Sequence, residues 1–296
     1  MSRVPIDDHD HFTDKQFAAI VQIVEGRVGI KLPPTKRIMV EGRLRKRVRA
    51  LQLPDLCAYG DLLFKQNGLD GELVHLIDCV TTNKTDFFRE PSHFTFLRDV
   101  AVPELIRQHG GRKVGLKLWS AASSTGAEAY TIAMVLQDMI AAGAPIQYAI
   151  LGTDISTEVL NTARQAIYSQ EFVAPVPAAM QARYFLRARN PKEQRVRVVP
   201  ELRRCVQFAR LNLMDETYPF DRDVDIIFCR NVLIYFDKPT QEAVISRLVS
   251  HLRPGGYLML GHSESMAGAE CPAVKAVSPT IYRTALASNP VKRAAA

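Results

Sequence analysis

Cysteine is scarce and scattered: five residues in 296, at positions 57, 79, 205, 229 and 271, with no C-x-x-C among them. An odd set of this kind gives neither a disulfide framework nor zinc-ligand spacing, so a reducing compartment and no metal are expected. No apolar run reaches the roughly 20 residues that span a bilayer. The N-terminus, MSRVPIDDHDHF, is acidic and polar. Neither membrane insertion nor a signal peptide is predicted. Glycine is missing where a G-x-G-x-x-G fingerprint would need it, because the stretch 116–136, LKLWSAASSTGAEAYTIAMVL, keeps only Gly126 in its turn.

What is present suffices for one large domain and a smaller one, with 47% hydrophobic residues and no internal repeat. The formal net charge of +7 leaves nucleic acid, an anionic membrane and an acidic protein surface all open as partners. In 116–136 an apolar run stops at the small residues 120–126 and an amphipathic stretch follows, which reads as strand, tight turn and helix. Backbone amides gathered at such a turn suit the polar parts of a cofactor. A second apolar run, 147–152, is followed by Asp154, placed to accept hydrogen bonds from the ribose hydroxyls of an adenosine-containing cofactor. Further runs at 225–228 and 257–260, the latter after the turn Arg253-Pro254-Gly255-Gly256, complete the pattern of an α/β, doubly wound, mostly parallel sheet.

Ahead of it, Thr13 and Gln16 stand in capping-box order, a helical stripe ends near Gly26, and Thr35 offers an N-cap for a basic helix, KRIMVEGRLRKRVRAL. Val40, Leu44, Val48 and Leu51 give that helix a buried face, while Lys36, Arg43, Arg45, Lys46, Arg47 and Arg49 project from the rest, offset locally only by Glu41. Like charges at i,i+4 destabilise a helix, which points to a compensating use on an acidic or nucleic-acid surface. Helices over 55–66 and 70–80 complete a helical domain, 13–80, behind a loose N-terminus, 1–12. The polar stretch TTNKTDFFRE, within a linker over 81–91, offers Phe87-Phe88 as an anchor and Asn83, Thr85 and Arg89 to a pocket, though packed aromatics among solvated polar residues fit it equally well. A helix over 92–109 opens the main domain, 92–286. An inserted subdomain near 170–203 is read as a helix over 177–187 and an edge strand over 195–199, with a second basic surface, and 287–296 forms a frayed tail.

These motifs, with LGTDIS, LNL, FCRNVLIYFDK and LRPGGYLMLGHSES in the same order, resemble the bacterial chemotaxis receptor methyltransferases of the CheR type over about 12–284. The resemblance implies a Rossmann-like class I methyltransferase sheet with a small all-helical N-terminal domain and an inserted β-containing subdomain. It also implies transfer of a methyl group from S-adenosylmethionine to glutamate side chains on chemoreceptor cytoplasmic helices, giving glutamyl methyl esters and S-adenosylhomocysteine. By motif, cofactor contacts fall to Asn83, Thr85, Arg89, Glu128, Asp154, Asn212, Leu213, Arg230 and Asn231. Arg89 is open to two roles, holding the cofactor carboxylate or the substrate carboxylate. Tyr235 is the candidate to line the methyl-transfer site, with packing as its alternative, and His262, Ser263 and Glu264 are left to turn polarity.

The basic helix would then face the receptor, and Arg187 and Arg197 match positions that in part of the family dock a receptor C-terminal peptide. The intervening loop, commonly glycine-rich, carries Ala188, Asn190 and Gln194 here. A monomer, cytoplasmic and recruited to membrane receptor arrays, is expected. Two other readings have sequence-level tests. A nucleic-acid methyltransferase would carry a D/N-P-P-Y/F segment where this chain has Arg230-Asn231-Val232-Leu233, or a Pro-Cys nucleophile, which it lacks. A non-catalytic adaptor would not need to keep Arg89, Glu128, Asp154 and Asn212.

Overall fold

The structure is a computed structural model that describes residues 10–190, 192–264 and 273–286. The expected tail 287–296, Cys271 and the first nine residues of the expected loose N-terminus lie outside the described residues. Within that terminus, Asp10, His11 and Phe12 are not loose. Phe12 is buried, Asp10 Oδ1 accepts from the Leu56 amide at 2.7 Å, and His11 Nδ1 lies 2.6 Å from the buried Glu41 carboxylate.

Four helices form the front domain: α1 (Asp14–Val28), α2 (Arg37–Ala50), α3 (Leu56–Phe64) and α4 (Leu69–Val80). Thr13 and Gln16 close a reciprocal capping box on α1, which runs past Gly26 and ends at Gly29 in the left-handed region. Thr35 does not cap α2: Pro34 starts a 3-10 turn (Pro34–Lys36) that leads into the helix without a side-chain cap. Val24, Val40, Leu44, Leu56 and Leu76 meet in its core.

The main domain opens with α5 (Pro91–Phe96), a π-turn (Leu97–Ala101) and α6 (Val102–Gln108), so the expected single helix is interrupted just before Pro103, whose ring nitrogen has no hydrogen to donate. There follow β1 (Val114–Ala121), α7 (Ala127–Ala141), β2 (Ile146–Asp154), α8 (Thr157–Gln165), β3 (Ile167–Ser169), α9 (Ala178–Tyr184), β4 (Phe185–Arg187), β5 (Arg195–Val198), α10 (Pro200–Arg204), β6 (Val206–Arg210), β7 (Val224–Cys229), α11 (Lys238–Ser250), β8 (Leu252–Leu260), β9 (Val274–Ser278) and β10 (Ile281–Thr284). Seven strands form one sheet in the order β6-β2-β1-β7-β8-β10-β9, parallel from β6 to β8 and antiparallel about β10. Leu116 and Leu118 face α6 and α7, while Trp119, Ile227 and Leu258 face α11, so apolar layers cover both sides. The order reverses between β1 and β7, and the crevice at the carboxyl ends of these strands is where such sheets bind ligands.

Three further expectations need correction. Residues 253–256 are not a turn before the fourth strand but an irregularity within β8, where the register against β7 jumps from Leu252 to Tyr257. The helix of the insert stops at Tyr184, and Phe185–Arg187 is a strand. Arg195–Val198 is the central strand, not an edge, of a three-stranded antiparallel sheet in the order β3-β5-β4. Its alternation arises because Val196 and Val198 are buried while Arg195 and Arg197 are exposed.

Candidate functional site

A cleft of about 930 Å³, part of it open to solvent, lies at the carboxyl ends of β1, β2, β6 and β7. The linker contributes Asn83, Thr85 and Arg89, the β1–α7 turn Ala122, Ser124 and Glu128, and the end of β2 Asp154 and Ile155. Asn212 and Leu213 follow β6, while Arg230, Asn231, Tyr235 and Phe236 follow β7. Val28 and Ile30 of the front domain close one wall. The structure thus brings together all ten residues expected at a cofactor or methyl-transfer site, from loops up to about 150 residues apart in sequence.

Backbone conformation explains how a turn with one glycine approaches a ligand. Ala122 (φ 58°), Ser124 (φ 50°) and Gly126 (φ 85°) all lie in the left-handed region, as do Phe88 (φ 54°), Glu90 (φ 56°) and Asn231 (φ 58°) on the facing loops. Such strain persists only where the surroundings hold it, and it gathers at functional sites. Here the Ser124 amide donates to Asp154 Oδ2 and the Ser156 amide to Oδ1, both at 2.9 Å, and Ser124 Oγ donates to the Asn83 carbonyl at 2.8 Å. At Gly126 the space is fixed as well, since a Cβ would lie 2.9 Å from Ala163 Cβ and 3.0 Å from Phe208. Burial raises the Asp154 carboxyl, against the pull of the backbone amides that hold it.

Arg230 ties the site together. Its side chain is 2% exposed, Nη1 donates to Glu128 Oε2 and Nη2 to Glu90 Oε2, each at 2.9 Å, and Nη2 also reaches the Arg89 carbonyl. Glu128 takes a further bond from Ser120 Oγ at 2.7 Å. Burial raises the Glu128 carboxyl, with Arg230 and Ser120 opposing. At Glu90 burial also pushes upward, but the bonds from Arg230 and Asn231 prevail and hold the carboxyl at about 2. Arg230 therefore shapes the cleft with its charge already spent. Arg89 differs: among the described residues its guanidinium makes one protein hydrogen bond, to the Lys84 carbonyl at 3.1 Å.

Sequence reasoning missed two positioning carboxylates. Glu90 ends the polar linker motif itself, where a carboxylate directly after Arg89 was the available signal. Glu264, read as turn polarity, is 5% exposed and accepts from the amides of Asn231 (2.7 Å), Leu233 (2.7 Å) and Gly261 (2.8 Å), fixing the loop that carries Asn231 and Tyr235. The linker anchor is explicit: Phe87 makes edge contacts with Tyr168, Phe172 and Phe185 of the insert at 5.2–5.7 Å between centroids.

The basic residues divide. Arg43 donates to the carbonyls of Val80 and Thr81, Arg45 to Asp10, and Arg47 makes a bidentate pair with Glu72 at 2.6 and 2.8 Å. Lys46, loosely paired with Glu158 at 3.3 Å, and Arg49 are exposed. In the insert, β4–β5 register pairs Arg187 with Val196 and Leu186 with Arg197, which puts Arg187 and Arg197 on opposite faces. Arg187 lines a groove with Gln170, Gln181 and Phe185, whereas Arg197 donates to the Gln165 carbonyl.

Comparison with known proteins matches residues 83–281 to the model of the CheR methyltransferase SAM binding domain and residues 15–81 to that of the CheR methyltransferase all-alpha domain. Chemotaxis protein methyltransferase 2 of Pseudomonas aeruginosa is 38% identical over 275 residues, covering 93% of this chain and 95% of that one. The chemotaxis protein methyltransferase of Escherichia coli is 42% identical over 259 residues, 87% of each chain.

Proposed function

The chain belongs to the CheR methyltransferase family, S-adenosylmethionine-dependent enzymes with a Rossmann-like class I sheet, and from that premise we propose that it methylates glutamate side chains on chemoreceptor cytoplasmic helices. The donor set of the cleft fits the cofactor. Asp154, fixed by two backbone amides, would receive the ribose diol. Asn83 and Thr85 border it, Glu128 would meet the ammonium group, and Leu213 with Ile155 supplies an apolar wall for adenine. When bound, S-adenosylmethionine supplies a sulfonium-activated methyl group.

The acceptor asks little of the protein in proton transfer, because a glutamate carboxylate is ionised at neutral pH. Orientation is the remaining task, and it falls to groups at the cleft that are not already engaged. The observation that carries this reading is the contrast between the two arginines. Arg230 is buried against two carboxylates, while the planar fork of Arg89 lines the same cleft as Tyr235 and can grip an incoming carboxylate. Of the cations expected to face the receptor, Lys46 and Arg49 are the exposed ones that can meet an acidic surface. A receptor C-terminal peptide would dock on the Arg187 groove alone, since Arg197 faces away; absence of binding at millimolar peptide would remove that partner. Among the described residues no helix is long and apolar enough to cross a membrane.

The test is transfer of labelled methyl from S-adenosylmethionine to a chemoreceptor cytoplasmic fragment, followed by mild base and collection of volatile methanol. Base-labile label on the receptor supports glutamyl ester formation. Cofactor binding without label excludes this acceptor.

A further inference from the structure

A groove that shares no lining residue with the cofactor cleft runs past Ser92, His93, Asp99, His262 and Ile281. Its floor is His93, 1% exposed, whose Nε2 lies 3.0 Å from Thr280 Oγ1. The other ring nitrogen, Nδ1, is buried with no hydrogen-bond partner among the described residues and sits 3.5 Å from Glu90 Oε2. The His262 ring meets the His93 ring edge to face at 5.1 Å, and one donor atom from each of Glu90, His93 and His262 lies within 4.8 Å of the others. In the tautomer whose Nε2–H donates to Thr280 Oγ1, Nδ1 turns a lone pair towards a carboxylate oxygen. Two acceptors facing each other in a buried place are stabilised by an electrophile between them.

We propose that Glu90, His93 and His262 form a binding site for a borderline divalent transition metal of the zinc type, with its remaining coordination positions open to the groove. Two imidazole nitrogens and one carboxylate oxygen suit zinc, nickel or copper, whereas magnesium and calcium prefer oxygen alone. Three protein ligands leave the site open rather than closed as in structural zinc sites. Glu90 Oε2 also carries the Arg230 bond at 2.9 Å, so a cation on that oxygen competes with the clamp behind the cofactor cleft.

The test is direct binding to the full chain after chelator treatment. Zinc is titrated against a chromophoric competitor, and cobalt is added separately to read the ligand type from its spectrum. One equivalent of zinc is expected, with cobalt d–d bands and no thiolate charge-transfer band. His262→Ala, a change at an exposed side chain, should weaken zinc by at least about tenfold, the lower end of what losing even a supporting partner costs a metal site. Its circular dichroism should match the parent. A water bridge in place of the metal would appear as no stoichiometric binding, which overturns the proposal. Undiminished binding in His262→Ala, or a thiolate band assigning the metal to cysteine, overturns it equally.

Discussion

Arg230 and Glu128 meet across the cofactor cleft, Nη1 to Oε2 at 2.9 Å, one from the loop after β7 and the other from the first turn of α7. The same guanidinium holds Glu90, so two carboxylates depend on one cation. Arg230→Ala strands both, and breaking a buried pair by removing one partner costs about 3–5 kcal/mol. A urea midpoint far below that of the parent is expected; an unchanged midpoint would mean the network contributes nothing to folding.

Asp154→Ala should lose binding of S-adenosylhomocysteine while the chain stays folded. Hydrogen bonds to a charged group are worth about 1.5–3 kcal/mol each, so the loss should be tenfold or more. Calorimetric titration reads it, and retained affinity would remove Asp154 from the ribose site.

Stability should fall on mild acidification because of His93. Its folded pKa of about 4 lies below the ordinary histidine value near 6.5. The contribution is therefore complete above about 6.5 and lost as pH falls towards 4, where the unfolded chain binds a proton that the folded one refuses. The whole effect is at most about 3 kcal/mol. Glu90 follows lower, its contribution present above about 4.5 and lost towards 2. His93→Gln should flatten the interval from 6.5 to 4 in a denaturation series and leave the lower one.

The charges of α2 can be separated by function. Arg47→Ala breaks the pair with Glu72, to which Tyr59 also donates at 3.2 Å, and should cost about 2 kcal/mol. Lys46→Glu with Arg49→Glu should leave the unfolding midpoint in place and reduce methylation of the receptor fragment. Full activity in that double variant would move the receptor surface elsewhere.

Ala122→Gly relieves a left-handed alanine, a conformation that costs L-residues about 1–2 kcal/mol. Greater freedom of the unfolded chain offsets part of this, so a gain of up to about 1 kcal/mol is expected. In a helix interior the same substitution is destabilising.

The legibility of this chain follows from which signals are local. Strand periodicity and the Thr13–Gln16 box depend on neighbours within a turn or two, and the structure forms each of them. The residues that line the cleft were gathered through motif order rather than through glycine, because Ala122 and Ser124 take left-handed conformations that their side chains do not announce. The two expectations that failed in the insert concern three short strands whose pairing is entirely non-local: nothing in 185–187 distinguishes a strand from the last turn of α9 until β5 lies beside it. For the same reason the arc of α2 looked uniformly available. Glu72, which absorbs Arg47, is 25 residues away.

Asn212 Nδ2 donates to the Arg27 carbonyl at 2.7 Å, joining the loop after β6 to the last turn of α1 across 185 positions of sequence. With Val28 and Ile30 in the wall of the cleft, the front domain is part of the container and not an attachment to it. Anything that fills the cleft is then bound by both domains at once, and its free energy of binding belongs to their docking. The saturated chain should melt in a single cooperative step even where the ligand-free chain melts in two.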